Sequence, residues 1–254
     1  MRKRLEHKKF LLEMIKAQLA FIWFKKHREP KLDMLTLLNN YCMVFNFTDL
    51  NENSIFDALK VTDQYQLNSA VIAVEQAFDK CDTLTDFLLK SLRWFDNITD
   101  ARLNRDAEQF SWLYDNKQNQ EKGALWYEAS GSEMYFHISN EFYPSSFLDE
   151  DNHFEDSIKK MAEYAKANGV EEIICSSWLN QFPKFLSYFP SSWTESATFC
   201  NDVIDGELGI WGQFIDHNYQ VNERTYIELK EKEDIPFYMT TCKIKTNELL
   251  EYYK

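Results

Sequence analysis

Only a short list of places in this 254-residue sequence combines residue types and spacing that could do chemistry, and each can be weighed singly. Cys175 closes the apolar run Ile173-Ile174-Cys175 and precedes Ser176-Ser177, the end of an expected strand, where a nucleophile can be presented. A thiol attacks as the thiolate, so it needs a neighbouring base or a helix N-terminus, and His137 is the histidine the pattern brings toward it. The plainer readings are a buried structural thiol and a His137 that alternates with Phe136 and Ile138 and so faces the other side of its strand. Asp149, Asp151, His153 and Asp156 are of metal-ligating types, but their spacing matches no calcium loop, and carboxylates ahead of a helix favour its positive end. Aromatic walls with polar groups for a small pocket come from two motifs: Ser177, Trp178, Asn180 and Tyr188 in one, Trp211 and Gln213 in the other. Asp216 and His217 follow that second motif, and Gly212 within it admits either close approach of a ligand or a simple strand kink. No P-loop, GxSxG, HExxH or dinucleotide fingerprint occurs, which removes the commonest NTPases, hydrolases, metalloproteases and dehydrogenases.

The elements that must position these residues divide the chain near its middle. Residues 3–28 lack Gly and Pro and repeat Leu11, Ile15, Leu19, Ile22 and Trp23 at helical spacing, so one long amphipathic helix is expected, closed by His27-Arg28-Glu29-Pro30. Further helices are expected over Leu32–Met43, Ile55–Val61, Gln66–Cys81, Thr83–Phe95 and Asp100–Tyr114, with no strand among them. The polar run Asp115–Lys122 marks a boundary, giving a helical domain 1–122 and a mixed α/β domain 123–254. Beyond it the apolar period falls to two: Ala124–Ala129 and Glu133–Ile138 flank a Ser-Gly-Ser turn as a β-hairpin. A helix over Phe154–Ala167 stopped by Asn168-Gly169, a strand ending at Cys175, and a helix after a Ser176 or Ser177 cap follow. Pro183 should disturb the start of that helix and Pro190 should end it. Thr194–Cys200 and Leu208–Ile215 read as strands, Val221–Glu231 as a helix, Phe237–Ile244 as a strand, and a short helix closes the chain. The expected class is α+β, a helical N-terminal half followed by a mixed β-sheet with packed helices.

Composition narrows the function classes. A formal net charge of −13 argues against nucleic acid as a partner. Residues 1–30 are the exception, with nine Lys/Arg against three Asp/Glu; the basic helix either lies against an acidic body or is an arm for a phosphate-rich or acidic partner, a protein partner included. The five cysteines are scattered with no CxxC pair, so neither a zinc site nor a dithiol is indicated. The longest apolar run of the first helix, LAFIWF, is far short of a membrane span, and no cleavage signal follows MRKR. A cytoplasmic address with no membrane contact is expected.

The motifs FHIS at Phe136–Ser139, SSWLN within Ser176–Asn180, Phe189-Pro190 with Ser192-Trp193, and WGQFID at Trp211–Asp216 together resemble a family of uncharacterised bacterial proteins. More distantly, the order hairpin, helix, strand, helix, two strands resembles the C-terminal part of acyltransferase-like proteins related to the GNAT N-acetyltransferases. That resemblance implies a coenzyme A pyrophosphate bound by a Gly-containing loop, Gln/Arg-x-x-Gly-x-Gly/Ala, at the N-terminus of the helix after the hairpin. Here Asn140–His153 stands at that place with no Gly, Arg or Lys and with Glu141, Asp149, Glu150 and Asp151, which would repel a pyrophosphate. The resemblance therefore implies the fold without its cofactor, and no cofactor or metal is expected. Two functions remain open: a non-catalytic binding or regulatory protein, and an N-acyltransferase-like enzyme with its pocket at the Ser177–Trp178/Gln213 corner.

Overall fold

A computed structural model of the chain describes residues 2–42, 64–95, 125–138, 146–149, 151–200, 208–216 and 220–254. The helices expected over Ile55–Val61 and Asp100–Tyr114, the 122/123 boundary, residues 140–145 and 150 of the expected loop, the turn at 201–206 and His217 lie outside these residues. Contacts divide the chain into two compact units: Met1–Ser111 with Val203–Pro236, and Trp112–Asp202 with Phe237–Lys254.

The first unit is helical in its described residues. Helix α1 (Arg2–Arg28) is its axis. From Ala17 to Trp23 every residue is buried, Gln18 being the one polar member, so this stretch packs on all sides. Helices α2 (Met34–Tyr41), α3 (Gln64–Lys80) and α4 (Leu84–Leu92) pack around it or one another. Two of them start at side-chain caps. Asp33 accepts the Thr36 N–H at 2.8 Å, and Thr83 accepts that of Asp86 at 3.2 Å. Trp23 meets Phe78 at 5.1 Å and Phe87 at 4.9 Å between ring centroids.

The second unit holds a five-stranded sheet, in the order β1-β2-β3-β5-β4. Strands β1 (Leu125–Ser130) and β2 (Glu133–Ile138) form the expected hairpin, with Ser130 opposite Glu133 and Gly131 at φ 63° in the two-residue turn. Helix α5 (Asp151–Ala167) then carries the chain to β3 (Glu172–Ser177), which runs parallel to β2. It stops where expected. Gly169, at φ 72°, lets the Val170 N–H reach the Ala165 carbonyl at 2.9 Å, the bond that closes a Schellman turn. Helix α5 and the sheet enclose a core of Phe136, Phe154, Ile158, Met161, Ile173 and Ile244 with other apolar side chains. Each such burial is worth about 1.5–3 kcal/mol.

Three local expectations are corrected. After Ser177 there is no single helix: a 3-10 turn (Trp178–Gln181) is followed by α6 (Pro183–Leu186), because Pro183 has no N–H for an interior position and fits the first helical turn instead. The helix stops at Leu186, ahead of Pro190, and Pro190 serves instead as N-cap of α7 (Ser191–Glu195), so the strand expected from Thr194 shrinks to β4 (Thr198–Cys200). The third correction is the largest. Leu208–Ile215 is not a strand but a helical turn, α8 (Leu208–Trp211), continued as a 3-10 turn (Gly212–Phe214), with only Ile215 bridged to Val221. Ile210, Trp211, Gln213 and Phe214 are buried at offsets of one, three and four, a helical rather than an alternating pattern. Helix α9 (Glu223–Lys232), capped by Asn222, strand β5 (Met239–Lys245) and helix α10 (Thr246–Tyr252) complete the chain.

Candidate functional site

The six pocket residues are divided between the units: Ser177, Trp178, Asn180 and Tyr188 belong to the second, Trp211 and Gln213 to the first. Within the second unit the corner after β3 is held by hydrogen bonds rather than left open. Ser177 Oγ accepts the Leu179 N–H at 3.2 Å and so caps the 3-10 turn. Asn180, 4% exposed, donates through Nδ2 to the carbonyls of Cys175 (2.9 Å) and Thr240 (2.7 Å), and its Oδ1 accepts the indole N–H of Trp193 at 3.0 Å. Gln181 donates to the Tyr238 carbonyl at 2.6 Å and to Thr240 Oγ1 at 2.8 Å. Trp178 is half-buried and meets Phe182 and Phe237 at 6.3 and 6.0 Å, while Tyr188 is buried against Phe154 at 4.9 Å. In the first unit Gln213 is 1% exposed and donates to the Ile210 carbonyl at 2.8 Å, and Trp211 lies edge-on to Phe21 at 5.7 Å.

Cys175 does not present a nucleophile. It is 1% exposed, faces Cys242 across β3 and β5, and burial pushes its thiol far above the ordinary range, with Cys242 adding to the shift. Burial likewise pushes Cys242 up to about 11. His137 lies on the opposite, exposed face of its strand, with its ring 4.7 Å from that of Trp126 and its Nε2 3.8 Å from Glu128 Oε1. No group of His, Cys, Asp and Glu able to hold a metal ion occurs among the described residues. Asp149 is exposed ahead of α5, and Asp216 accepts the Gln220 N–H at 2.9 Å.

Two features were not picked out in the sequence. One is the pairing of parallel β2 and β3, which is in register over Glu133–Tyr135 and Glu172–Ile174 and stops ahead of the Ser177 corner. The other is a groove of about 590 Å³ in the helical unit. Helix α4 gives it Leu84, Leu88, Leu89 and Leu92; α1 gives Leu12, Glu13 and Lys16; α9 gives Tyr226 and Lys230. Leu89 is 69% exposed. The ammoniums of Lys16 and Lys230 stand 5.4 and 5.1 Å from the centre of the Tyr226 ring, and Lys16 is 3.7 Å from Glu13. Burial first, and Glu13 second, push the Tyr226 phenol up to about 12, so it stays neutral. The sequence signal for this groove was the number of leucines on α4, more than its inward face needs; Tyr226 and Lys230 gave none, being remote in the chain.

No helix among the described residues is long and apolar enough to cross a membrane. Comparison with family models, with characterised proteins and with solved structures finds no match to this chain.

Proposed function

We infer that the chain is a non-catalytic binding or regulatory protein, with the helical unit as the part that meets a protein partner. The observation that carries this reading is the commitment of the polar groups at the two motifs. Asn180 spends both ends of its amide on three internal hydrogen bonds, and Gln213 is buried and bonded to its own turn. Side chains so engaged hold a corner in shape and leave nothing to orient a substrate. The basic first helix supports the partner: Leu11–Trp23 is largely taken up in the core, but Lys16 is left in an open groove. The address we propose is cytoplasmic, supported by five cysteines that are all free thiols.

The acyltransferase-like reading is kept as second because one observation favours it. The pairing of the parallel strands stops at Tyr135 and Ile174, ahead of Ser177 and Trp178, and the carboxyl ends of parallel strands are where such sheets bind ligands. A thermal-shift titration with acyl-coenzyme A and nucleotides separates the two. A ligand present at a hundred times its Kd adds about 2.7 kcal/mol to the folded state. The binding reading expects no shift; a shift with acyl-coenzyme A that Trp178→Ala removes would overturn it.

A further inference from the structure

We propose that the groove between α1, α4 and α9 is the docking site for an acidic amphipathic helix of a partner protein, an assignment that rests on the binding reading and names the chemistry of the partner. The floor is apolar. Leu84, Leu88 and Leu92 recur every fourth residue along α4, a line of about 12 Å at 1.5 Å per residue, which matches two turns of a docked helix and its anchors at i, i+3 or i+4, and i+7. Leu89 stands beside that line, more than two-thirds exposed, where water leaves a large apolar side chain unsatisfied.

Charge selects the occupant. Three cations line the groove, Lys16, Arg93 and Lys230, against the single carboxylate of Glu13, in a chain whose formal net charge is −13. Glu13 and Lys16 offset one another and the phenol of Tyr226 is neutral, so Arg93 and Lys230 leave the lining with a surplus of positive charge. A helix with leucine-type anchors and flanking Asp or Glu satisfies both surfaces; a basic helix satisfies only one.

The test uses the full chain and a fluorescein-labelled helical peptide carrying leucines at those spacings with glutamates on its flanks, read by anisotropy. Saturable binding is expected, weakening as salt rises. The same peptide with lysines in place of glutamates should bind at least about tenfold more weakly. Leu89→Asp, at an exposed position, and Arg93→Glu should each weaken the acidic peptide about tenfold or more, with circular dichroism unchanged; Lys16→Glu combined with Lys230→Glu should do the same. The assignment is overturned if neither peptide binds, if both bind alike, or if binding ignores the groove variants. It is equally overturned if dodecanoate occupies the groove and the peptide does not, or if sedimentation finds a dimer that Leu89→Asp dissociates, since the occupant is then a lipid or a second copy. Turnover of acyl-coenzyme A would instead overturn the binding reading, and a peptide bound away from the groove would keep that reading while removing this site.

Discussion

Asn180 is the side chain on which the Ser177 corner depends. Its amide joins the end of β3 to β5 and to the indole of Trp193, whose ring in turn stacks on Phe189 at 4.3 Å and meets Phe136 at 6.0 Å. Asn180→Ala strands the Trp193 N–H out of water and takes away both donors, so a loss of about 2 to 3 kcal/mol is expected. Urea denaturation measures it, and a change within the scatter of surface substitutions would contradict the assignment. The two facing thiols make a pH prediction. Unfolded cysteines titrate near 8.5, while Cys175 and Cys242 are held protonated in the folded chain to higher pH, about 11 for the latter. Above pH 8.5 the unfolded state therefore binds fewer protons than the folded state. Stability is full below that value and falls as pH rises toward 11. The fall in the urea midpoint between pH 8 and pH 10.5 should be smaller in a Cys175→Ala, Cys242→Ala double variant than in the parent. What the sequence did reveal at this scale was residue type and facing. That His137 points away from the core followed from alternation alone, whereas the partners of Asn180 are some sixty residues away in one case and were not legible.

Among the elements, the stops were easier to read than the lengths. Asn168-Gly169 ends α5 as expected because a left-handed backbone is what the Schellman turn requires, and the space around Gly169 is open, with nothing within 4 Å of where a side chain would begin. Gly169→Ala thus costs only the backbone term, about 1–2 kcal/mol, and Gly169→Asn should cost less because Asn tolerates that region. Thermal or urea unfolding distinguishes the two; equal stability of all three chains would mean that the turn does not constrain the helix end. Proline was read correctly as a disturbance at 183, while Pro190 stands past the end of α6; each also begins a new helix, a role that needs the next turn to find packing. Leu208–Ile215 failed for a related reason. A short apolar run can be strand or helix, and the burial of Trp211 and Phe214 together selects the helix.

For the whole molecule the consequential fact is that the helical unit is discontinuous in sequence. Val203–Pro236 returns to it after the chain has built most of the sheet, placing Trp211 against Phe21 and α9 against α1. A fragment 123–254, cut at the compositional boundary, leaves the buried faces of Trp211, Phe214 and Leu229 without the α1 they pack with in their unit. It should bind anilinonaphthalene sulfonate and associate in solution, as chromatography with light scattering would record. A monomeric fragment that unfolds cooperatively with no dye binding would contradict the division.

The sequence by itself determined the α+β class, the four described helices before the middle of the chain, the hairpin with its glycine turn, and the stop at Gly169. Those features rest on periodicity and on backbone restrictions of single residues, which are local. Only the tertiary structure decided that the WGQF turn is helical and belongs with α1, that Asn180 is a tie rather than a ligand group, and that leucines of α4 share a groove with lysines of α1 and α9. Each of these depends on which distant segments meet, and burial energy is won by whole faces in contact, something no short window of residues encodes.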